Sequence, residues 1–177
     1  MEPSSLPDPR YLDVPEGQEI DGSLFGDEAT CFACGPHHPN GFHMHFARIG
    51  DEVVTHFTPT PQTQGAPSMM HGGLITTVAD EIGAWTVVFL RSSFGFTATL
   101  ECRFKAPVRV GVPIEGRGRI TRDLTRLIDV AVDLRQEGKL CWTGKLRFIL
   151  LDEKGMETMI GGPIPQEWKR FIRVPID

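Results

Sequence analysis

Residues 71–89 restrict the fold more than any other segment, because they have the pattern of one long helix that is apolar on nearly every side. A helix without a charged stripe is buried in the protein interior. Its bulky side carries Leu74, Ile75, Val78, Ile82, Trp85 and Phe89. A second side carries mostly small residues, namely Gly73, Thr76, Thr77, Asp80, Gly83, Ala84 and Val87. Asp80 and Glu81 interrupt the apolar run, and carboxylates inside a bilayer are costly, so we exclude a membrane span.

Four segments after this helix alternate apolar and polar residues with a period of two: 97–105, 114–121, 127–135 and 139–151. Strict alternation predicts half-buried strands. In the first segment the apolar side carries Ala98, Leu100, Cys102 and Phe104. Gln136-Glu137-Gly138 predicts a tight hairpin, and residues 42–46 and 52–58 predict an earlier one. We therefore predict an α+β fold in which an antiparallel sheet wraps around one long central helix.

Length and charge place the chain among single-domain globular proteins. Its 177 residues hold about one domain. The 18 Lys+Arg and 23 Asp+Glu give a net charge of −5, and 40% of the residues are apolar. This composition excludes a wholly disordered chain and a protein that coats nucleic acid. The sequence shows no secretory leader, and its four cysteines do not make a disulfide framework, so we expect a cytoplasmic, reduced protein.

The chain divides into three predicted parts. Residues 1–28 hold four prolines and eight acids without a sustained period, which predicts an irregular N-terminal arm. Residues 29–160 form the predicted α+β domain. Residues 161–177 are a predicted C-terminal tail with at most a short helix.

Asp80 is the residue in the helix that most needs an explanation. Burying a carboxylate without a partner is costly, and the small neighbours leave space beside it. It could pair with an Arg or cap a backbone group, or Asp80 and Glu81 could both reach water at the helix edge. The interpretation we favour is a catalytic carboxylate that faces a substrate slot.

His71-Gly72-Gly73 begins the helix and offers a second candidate group. The first N–H groups of a helix have no partner within it, and glycine lets a ligand approach the backbone closely, so this turn is a candidate oxyanion site. Gly72 and Asp80 are eight residues apart, about 12 Å along a helix axis. One carbonyl cannot contact both groups of one helix. If both act on the same carbonyl, they come from two chains with antiparallel helices.

The segment from His71 to Glu81 resembles the HGG…D motif of hotdog-fold acyl-CoA thioesterases, and most closely the phenylacetate-degradation (PaaI-like) subgroup. Cys31-Phe32-Ala33-Cys34-Gly35 with Pro39-Asn40-Gly41, and Phe104-Lys105-Ala106-Pro107-Val108, are similar to stretches of that family. The resemblance covers roughly residues 30–152. It implies the hotdog fold, an acyl-CoA substrate, no cofactor other than the coenzyme A of that substrate, and a homodimer that could pair further into a tetramer.

The resemblance also implies roles for single residues. Asp80 would attack the thioester carbonyl or activate water, the Gly72 N–H would polarise the carbonyl, and His71 would cap the loop that includes Gly73. A side-chain amide before the motif falls at Gly65, so the neighbouring Gln64 is the candidate for that role. A hydroxyl that the family carries one turn after the acid is absent at Ala84. Candidate substrate-binding residues are Thr76, Thr77, Glu81, Gly83, Ala84, Lys105 and Arg109, with Trp85, Phe94 or Phe96 near the slot.

Six basic residues occur on or after adjacent predicted strands: Arg103, Lys105, Arg109, Arg117, Arg119 and Arg122. They could line a solvated sheet face with cross-strand Glu partners. Alternatively, they could form a basic patch for the phosphates of coenzyme A.

Cys31 and Cys34 have the spacing of a metal-binding turn, and His37, His38, His43 and His45 follow closely. We favour a Cys-Gly turn that packs the arm against the sheet over a structural zinc site, and we expect no bound metal. Cys102 falls on the apolar side of its strand, and Cys141 falls on the wetter side of its own.

Three function classes follow from the sequence. The first is an acyl-CoA thioesterase that acts without nucleic acid or membrane. The second is a non-hydrolytic acyl-CoA or lipid-binding hotdog domain. The third is another hotdog enzyme such as a hydratase, which needs a His general base that the helix does not offer.

Overall fold

Six antiparallel strands and one long helix make up most of the structure, a computed structural model that describes residues 12–26 and 29–172. The elements in chain order are β1 (Ala47–Ile49), β2 (Glu52–Phe57), α1 (Gly72–Arg91), β3 (Gly95–Phe104), β4 (Ile114–Leu124), β5 (Leu127–Gln136), β6 (Lys139–Leu150) and α2 (Glu153–Ile160). The strands form one sheet in the order β1-β2-β4-β5-β6-β3. The predicted α+β class, with an antiparallel sheet around a central helix, is confirmed.

The helix α1 is the centre of the core and contacts strands β2 to β6. His71 caps its first turn, and Ser92 ends it in the left-handed conformation. The bulky side faces the sheet, where Trp85 and Ile82 are 1% and 0% exposed. By length and composition alone α1 could cross a membrane, as the core helices of many folds could. Its burial against the sheet is what the apolar pattern predicted.

A bulge between β5 and β6 changes which side chains face the core. Leu134 pairs with Trp142, but the next residue, Arg135, pairs with Leu140. Cys141 is therefore an extra residue in β6, and it is only 3% exposed. The prediction that Cys141 lies on the wetter side is wrong, because alternation in the sequence does not reveal a bulge. The predicted hairpin is present, with positive φ angles at Glu137 and Gly138.

The first hairpin begins later than predicted. Residues 42–45 form no strand, and the strand that pairs with β2 is β1. His43 has a φ of +50°, which interrupts extended backbone, and Phe46 forms an isolated bridge with Ile20 of the N-terminal segment.

Strand β3 lies at an edge of the sheet, and its apolar side is only partly covered. Leu100 and Cys102 pack at the margin of the core. Ala98 is exposed, and Phe104 is 54% exposed. The expectation that all four apolar residues of this strand face inward is therefore wrong at both ends. Since α1 runs beside β3, this open edge adjoins the side of the helix that carries Asp80.

Segments near the two ends of the described chain pack together over α1. Short 3-10 helices cover Gly22–Phe25 and Gln166–Phe171. The Phe25 ring lies 5.2 Å from that of Trp85 and 5.4 Å from that of Phe171, measured between centroids. Trp168 Nε1 donates a hydrogen bond of 3.0 Å to the Phe25 carbonyl.

Candidate active site

Asp80 lies in the third turn of α1, and its carboxylate contacts the edge strand. Thr97 Oγ1 of β3 donates a hydrogen bond of 2.7 Å to Asp80 Oδ1. Asp80 is half-buried rather than enclosed, because β3 ends the sheet beside it. Ion pairs in the described part of the chain involve other carboxylates. Asp80 is therefore a carboxylate with one fixed hydrogen bond and access to solvent, and not half of an ion pair.

The N-terminus of α1 presents a backbone donor close to an apolar ring. His71 Nδ1 accepts a hydrogen bond of 3.0 Å from the Gly73 N–H, so His71 is occupied as the helix cap. Within the described chain the Gly72 N–H donates to no backbone or side-chain acceptor. A Cβ added at Gly72 would lie 3.5 Å from the Phe104 ring. The Gly72 N–H is thus free to donate a hydrogen bond to a ligand oxygen beside Phe104.

The loop before α1 folds back on itself, and its backbone forms a hydrogen bond with the side-chain amide of Gln64. His71 N donates to the Thr63 carbonyl, which closes the loop. Gln64 Oε1 accepts a hydrogen bond of 3.1 Å from the Ser68 N–H. A Cβ at Gly65 would lie 3.0 Å from His71 Cα, so the close approach of His71 favours glycine there. The Gln64 side chain stabilises the loop that delivers His71.

The side of α1 with small residues is divided between solvent and sheet. The hydroxyls of Thr76 and Thr77 donate to the carbonyls of Gly72 and Gly73, each over 3.1 Å. Thr76, Thr77 and Ala84 are half-buried, as is Asp80. Gly83 is buried, and a Cβ there would lie 2.9 Å from the Phe148 ring. Assigning Gly83 to a substrate slot is therefore wrong, because Gly83 lets the helix approach the sheet.

The Glu81 side chain contacts a different segment of the chain from the one that the Asp80 side chain contacts. Its Oε1 accepts hydrogen bonds from Trp85 Nε1 at 3.0 Å and from Cys31 Sγ at 3.6 Å. Burial and the neighbouring Cys31 raise the pKa of Glu81 to about 7. Trp85 stacks on Phe46 in the core, 4.8 Å between centroids. The contacts described for the Glu81 and Trp85 side chains include those with Cys31, Phe46 and each other but none with the Asp80–Thr97 pair, so the structure does not place them in the substrate slot.

Five of the six predicted basic residues fall into two groups. Three of the six have acidic partners: Arg109 with Glu137, Arg117 with Glu52 and Glu115, and Arg119 with Asp133. Arg103 and Lys105 instead line, with Lys145, a cavity of about 460 Å³ on β3 and β6. The cross-strand interpretation thus fits Arg117 and Arg119, which pair with Glu52 and Asp133 of neighbouring strands, and a smaller surface of three basic residues and Glu101 remains at the edge strand.

A second cavity of about 620 Å³ opens at the N-terminal end of α1. Its walls include the apolar side chains of Phe42, Phe57 and Leu74 and the imidazoles of His43 and His56. This groove could not be predicted from the sequence, because its lining comes from separate segments that only the fold brings together.

A family model described as Thioesterase superfamily matches residues 68–142. The matched range contains Gly72, Asp80 and Thr97, and the resemblance found in the sequence is confirmed for this segment. No curated protein matches the chain.

Solved structures show the same fold. A thioesterase superfamily protein has a TM-score of 0.63 at 22% identity, over 78% of this chain and 69% of that one. An acyl-CoA hydrolase from Staphylococcus aureus, solved with butyryl coenzyme A, coenzyme A and coenzyme A disulfide, has a TM-score of 0.55 at 23% identity, over 59% and 66%. A phenylacetic acid degradation-related protein from Ralstonia eutropha has a TM-score of 0.56 at 19% identity, over 61% and 85%. Variants of the Staphylococcus hydrolase with an Asp and a Thr replaced by Ala also match, each at 21% identity.

Proposed function

We propose that this chain hydrolyses acyl-CoA thioesters, with Asp80 as nucleophile or general base and the Gly72 N–H as oxyanion donor. The observation that carries the proposal is the Asp80 carboxylate, fixed by Thr97 at the open edge of an otherwise buried helix. A carboxylate with one oriented hydrogen bond and free access is suited to attack a carbonyl carbon or to remove a proton from water.

The reaction needs no further catalytic side chain. As nucleophile, Asp80 attacks the carbonyl carbon, the C–S bond breaks, and coenzyme A leaves as the thiolate. Water then cleaves the resulting acyl anhydride, which returns the Asp80 carboxylate and releases the free acid. As general base, Asp80 instead takes a proton from the water that attacks the thioester directly. In both routes negative charge develops on the carbonyl oxygen, where a backbone N–H at a helix N-terminus stabilises it.

Two chains contribute to one active site in this proposal. Gly72 and Asp80 belong to the same unbroken helix, and eight residues of helix span about 12 Å. A single carbonyl group therefore reaches Asp80 of one chain and Gly72 of another. The uncovered edge of β3 adjoins Asp80 and offers unpaired backbone groups to a second copy of the strand.

The spacing of two residues in a similar enzyme supports this choice of residues. The Asp and the Thr replaced in the variants of the Staphylococcus hydrolase lie 17 residues apart in that protein. Asp80 and Thr97 are also separated by 17 residues. Since that hydrolase was solved with acyl-CoA and coenzyme A ligands, an acyl-CoA is the substrate we propose for this chain.

The two cavities suggest how the substrate lies. The apolar walls of the 620 Å³ groove suit an acyl group, and the groove opens at the same end of α1 as Gly72. Arg103, Lys105 and Lys145 suit the phosphates of coenzyme A, which carry negative charge. Arg109 is already held by Glu137, so Lys105 is the stronger of the two predicted phosphate contacts.

Release of free coenzyme A from a panel of aliphatic and aromatic acyl-CoAs tests the function. We expect turnover by the wild type and a loss of at least about 100-fold in Asp80→Asn with an unchanged Tm. Asp13→Asn makes the same change of charge at an exposed position and serves as the control. Near-normal turnover by Asp80→Asn would overturn the assignment of Asp80.

Labelled water separates the two routes. In a single turnover in ¹⁸O-water, label enters the Asp80 carboxylate only on the nucleophilic route, when water attacks the Asp80 carbon of the anhydride, whereas the general-base route places the label in the released acid and leaves Asp80 unlabelled. If no acyl-CoA is hydrolysed but several bind, the chain is instead the non-hydrolytic acyl-CoA-binding domain that the sequence left open.

A further inference from the structure

Three potential ligands from two distant segments meet at a place that the proposed reaction does not use. The sulfurs of Cys31 and Cys34 and a carboxylate oxygen of Glu81 all lie within 4.8 Å of one another. Cys31 and Glu81 are 50 residues apart in the sequence. Among the residues that the structure describes, no other group of His, Cys, Asp and Glu side chains is brought together in this way.

The turn from Cys31 to Gly35 is held together by close backbone contacts. The Gly35 N–H donates to the Cys31 carbonyl over 2.9 Å. A Cβ at Gly35 would lie 2.5 Å from the Cys31 carbonyl oxygen, so the turn excludes any larger residue there. This tight turn holds Cys34 beside Cys31, with their sulfurs within 4.8 Å of each other.

Glu81 brings a carboxylate under this turn without a cation to neutralise it. Its hydrogen bonds come from Trp85 and Cys31, and no Lys or Arg of the described chain forms an ion pair with it. The Glu81 carboxylate is half-buried beside an exposed and a buried cysteine, and it has no cationic partner among the described residues. A bound cation would supply the missing positive charge at this place.

We propose that Cys31, Cys34 and Glu81 bind one zinc ion and thereby join the 31–35 turn to α1. Two sulfurs and one carboxylate oxygen are ligands that zinc accepts in tetrahedral geometry, whereas magnesium and calcium prefer oxygen alone. Cys31 is exposed, which leaves the fourth position to water.

The histidines that follow the turn do not supply the fourth ligand. His38 Nδ1 accepts from the Asn40 N–H, His43 Nε2 contacts the His38 carbonyl, and His45 lies 3.6 Å from Asp21. The zinc site weighed from sequence, with histidines as the second pair, is therefore replaced by one in which Glu81 completes the set. Only the fold brings Glu81 to the turn, so the spacing of the cysteines could not indicate it.

Metal content of the full chain tests the proposal. The protein is prepared reduced and without a histidine tag, its metals are measured by mass spectrometry, and the metal-free form is titrated with zinc against a chromophoric chelator. We expect about one zinc per chain, lost in Cys31→Ser and weakened at least about tenfold in Glu81→Gln. Cys102→Ser removes a half-buried thiol elsewhere and should bind as the wild type does.

A second measurement needs no variant and so does not depend on folding of a mutant. Zinc should slow alkylation of Cys31 by iodoacetamide in the native wild type, but should leave the rate at Cys102 unchanged. The visible spectrum of the cobalt-loaded protein should show tetrahedral coordination with thiolate ligands. A reduced wild type that binds no zinc, or a Cys31→Ser variant that binds it normally, would overturn the proposal. A Cys31–Cys34 disulfide in a protein that binds no metal would also overturn it and identify a redox pair.

Discussion

Thr97 Oγ1 donates a 2.7 Å hydrogen bond to Asp80 Oδ1, and this bond joins the edge strand to the exposed side of the central helix. The bond leaves the second carboxylate oxygen without a described partner from the chain. Thr97 therefore orients Asp80 while one oxygen remains available for chemistry. The hydroxyl that contacts Asp80 belongs to a strand and not to the helix position of Ala84.

We expect Thr97→Val to lower kcat with little effect on stability. The change removes the hydroxyl and keeps the shape of the side chain, and valine is favoured in strands. A hydrogen bond to a charged group contributes about 1.5–3 kcal/mol, which corresponds to a loss of about tenfold to 100-fold in rate. Thr99→Val is the matched control, because Thr99 is exposed on the same strand and makes no described contact with Asp80. Equal kinetics in both variants would refute an orienting role for Thr97.

We expect Gly72→Ala to impair catalysis without impairing the fold. The added methyl group would lie 3.5 Å from the Phe104 ring, an ordinary contact, and alanine is favoured over glycine in a helix. The same methyl group would stand beside the N–H that the proposed oxyanion approaches. Thermal unfolding should show an equal or higher Tm, and the coenzyme A release assay should show a lower kcat. Unchanged kcat would remove the Gly72 N–H from the mechanism.

Gly83→Ala should destabilise the fold, whereas Gly72→Ala should not, since Gly83 packs against the sheet. Its Cβ would lie 2.9 Å from the Phe148 ring and 3.1 Å from Leu146, both of them core residues. Overpacking a core costs about 1–3 kcal/mol, which the better helix propensity of alanine offsets by up to about 1 kcal/mol. We expect chemical denaturation to give a free energy of unfolding lower by about 1–2 kcal/mol. A more stable variant would indicate that Gly83 faces open space.

The helix and the four later strands could be predicted from the sequence because burial on one side imposes a period on the residues. The helix begins at Gly72 after a cap at His71, and the predicted bounds of these elements agree to within a few residues. The same patterns could not locate the bulge at Cys141 or the break at His43, since both are departures from the period.

The sequence could predict the relative positions of candidate site residues only where those residues lie on the same secondary-structure element. Gly72 and Asp80 share a helix, so their spacing could be read directly. Thr97 comes from a neighbouring strand, and its only signal was a polar residue on the outer side of β3. Gly83 was placed by helical spacing on the side of Asp80, but it packs against Phe148, because the position of the sheet decides which residues of the helix remain exposed.

The contact of Phe25 with Trp168 and Phe171 has a consequence for synthesis on the ribosome. The Trp168 indole donates to the Phe25 carbonyl across 143 residues of sequence, and Arg170 donates to the Leu24 carbonyl over 2.8 Å. Residues 22–25 therefore cannot pack against residues 168–171 over Trp85 until residue 171 has left the exit tunnel. Contacts between such distant segments form slowly, because the entropy of closing a long loop opposes them. The helix and the earlier strands can therefore fold while the nascent chain grows, and the two segments pack together over Trp85 afterwards.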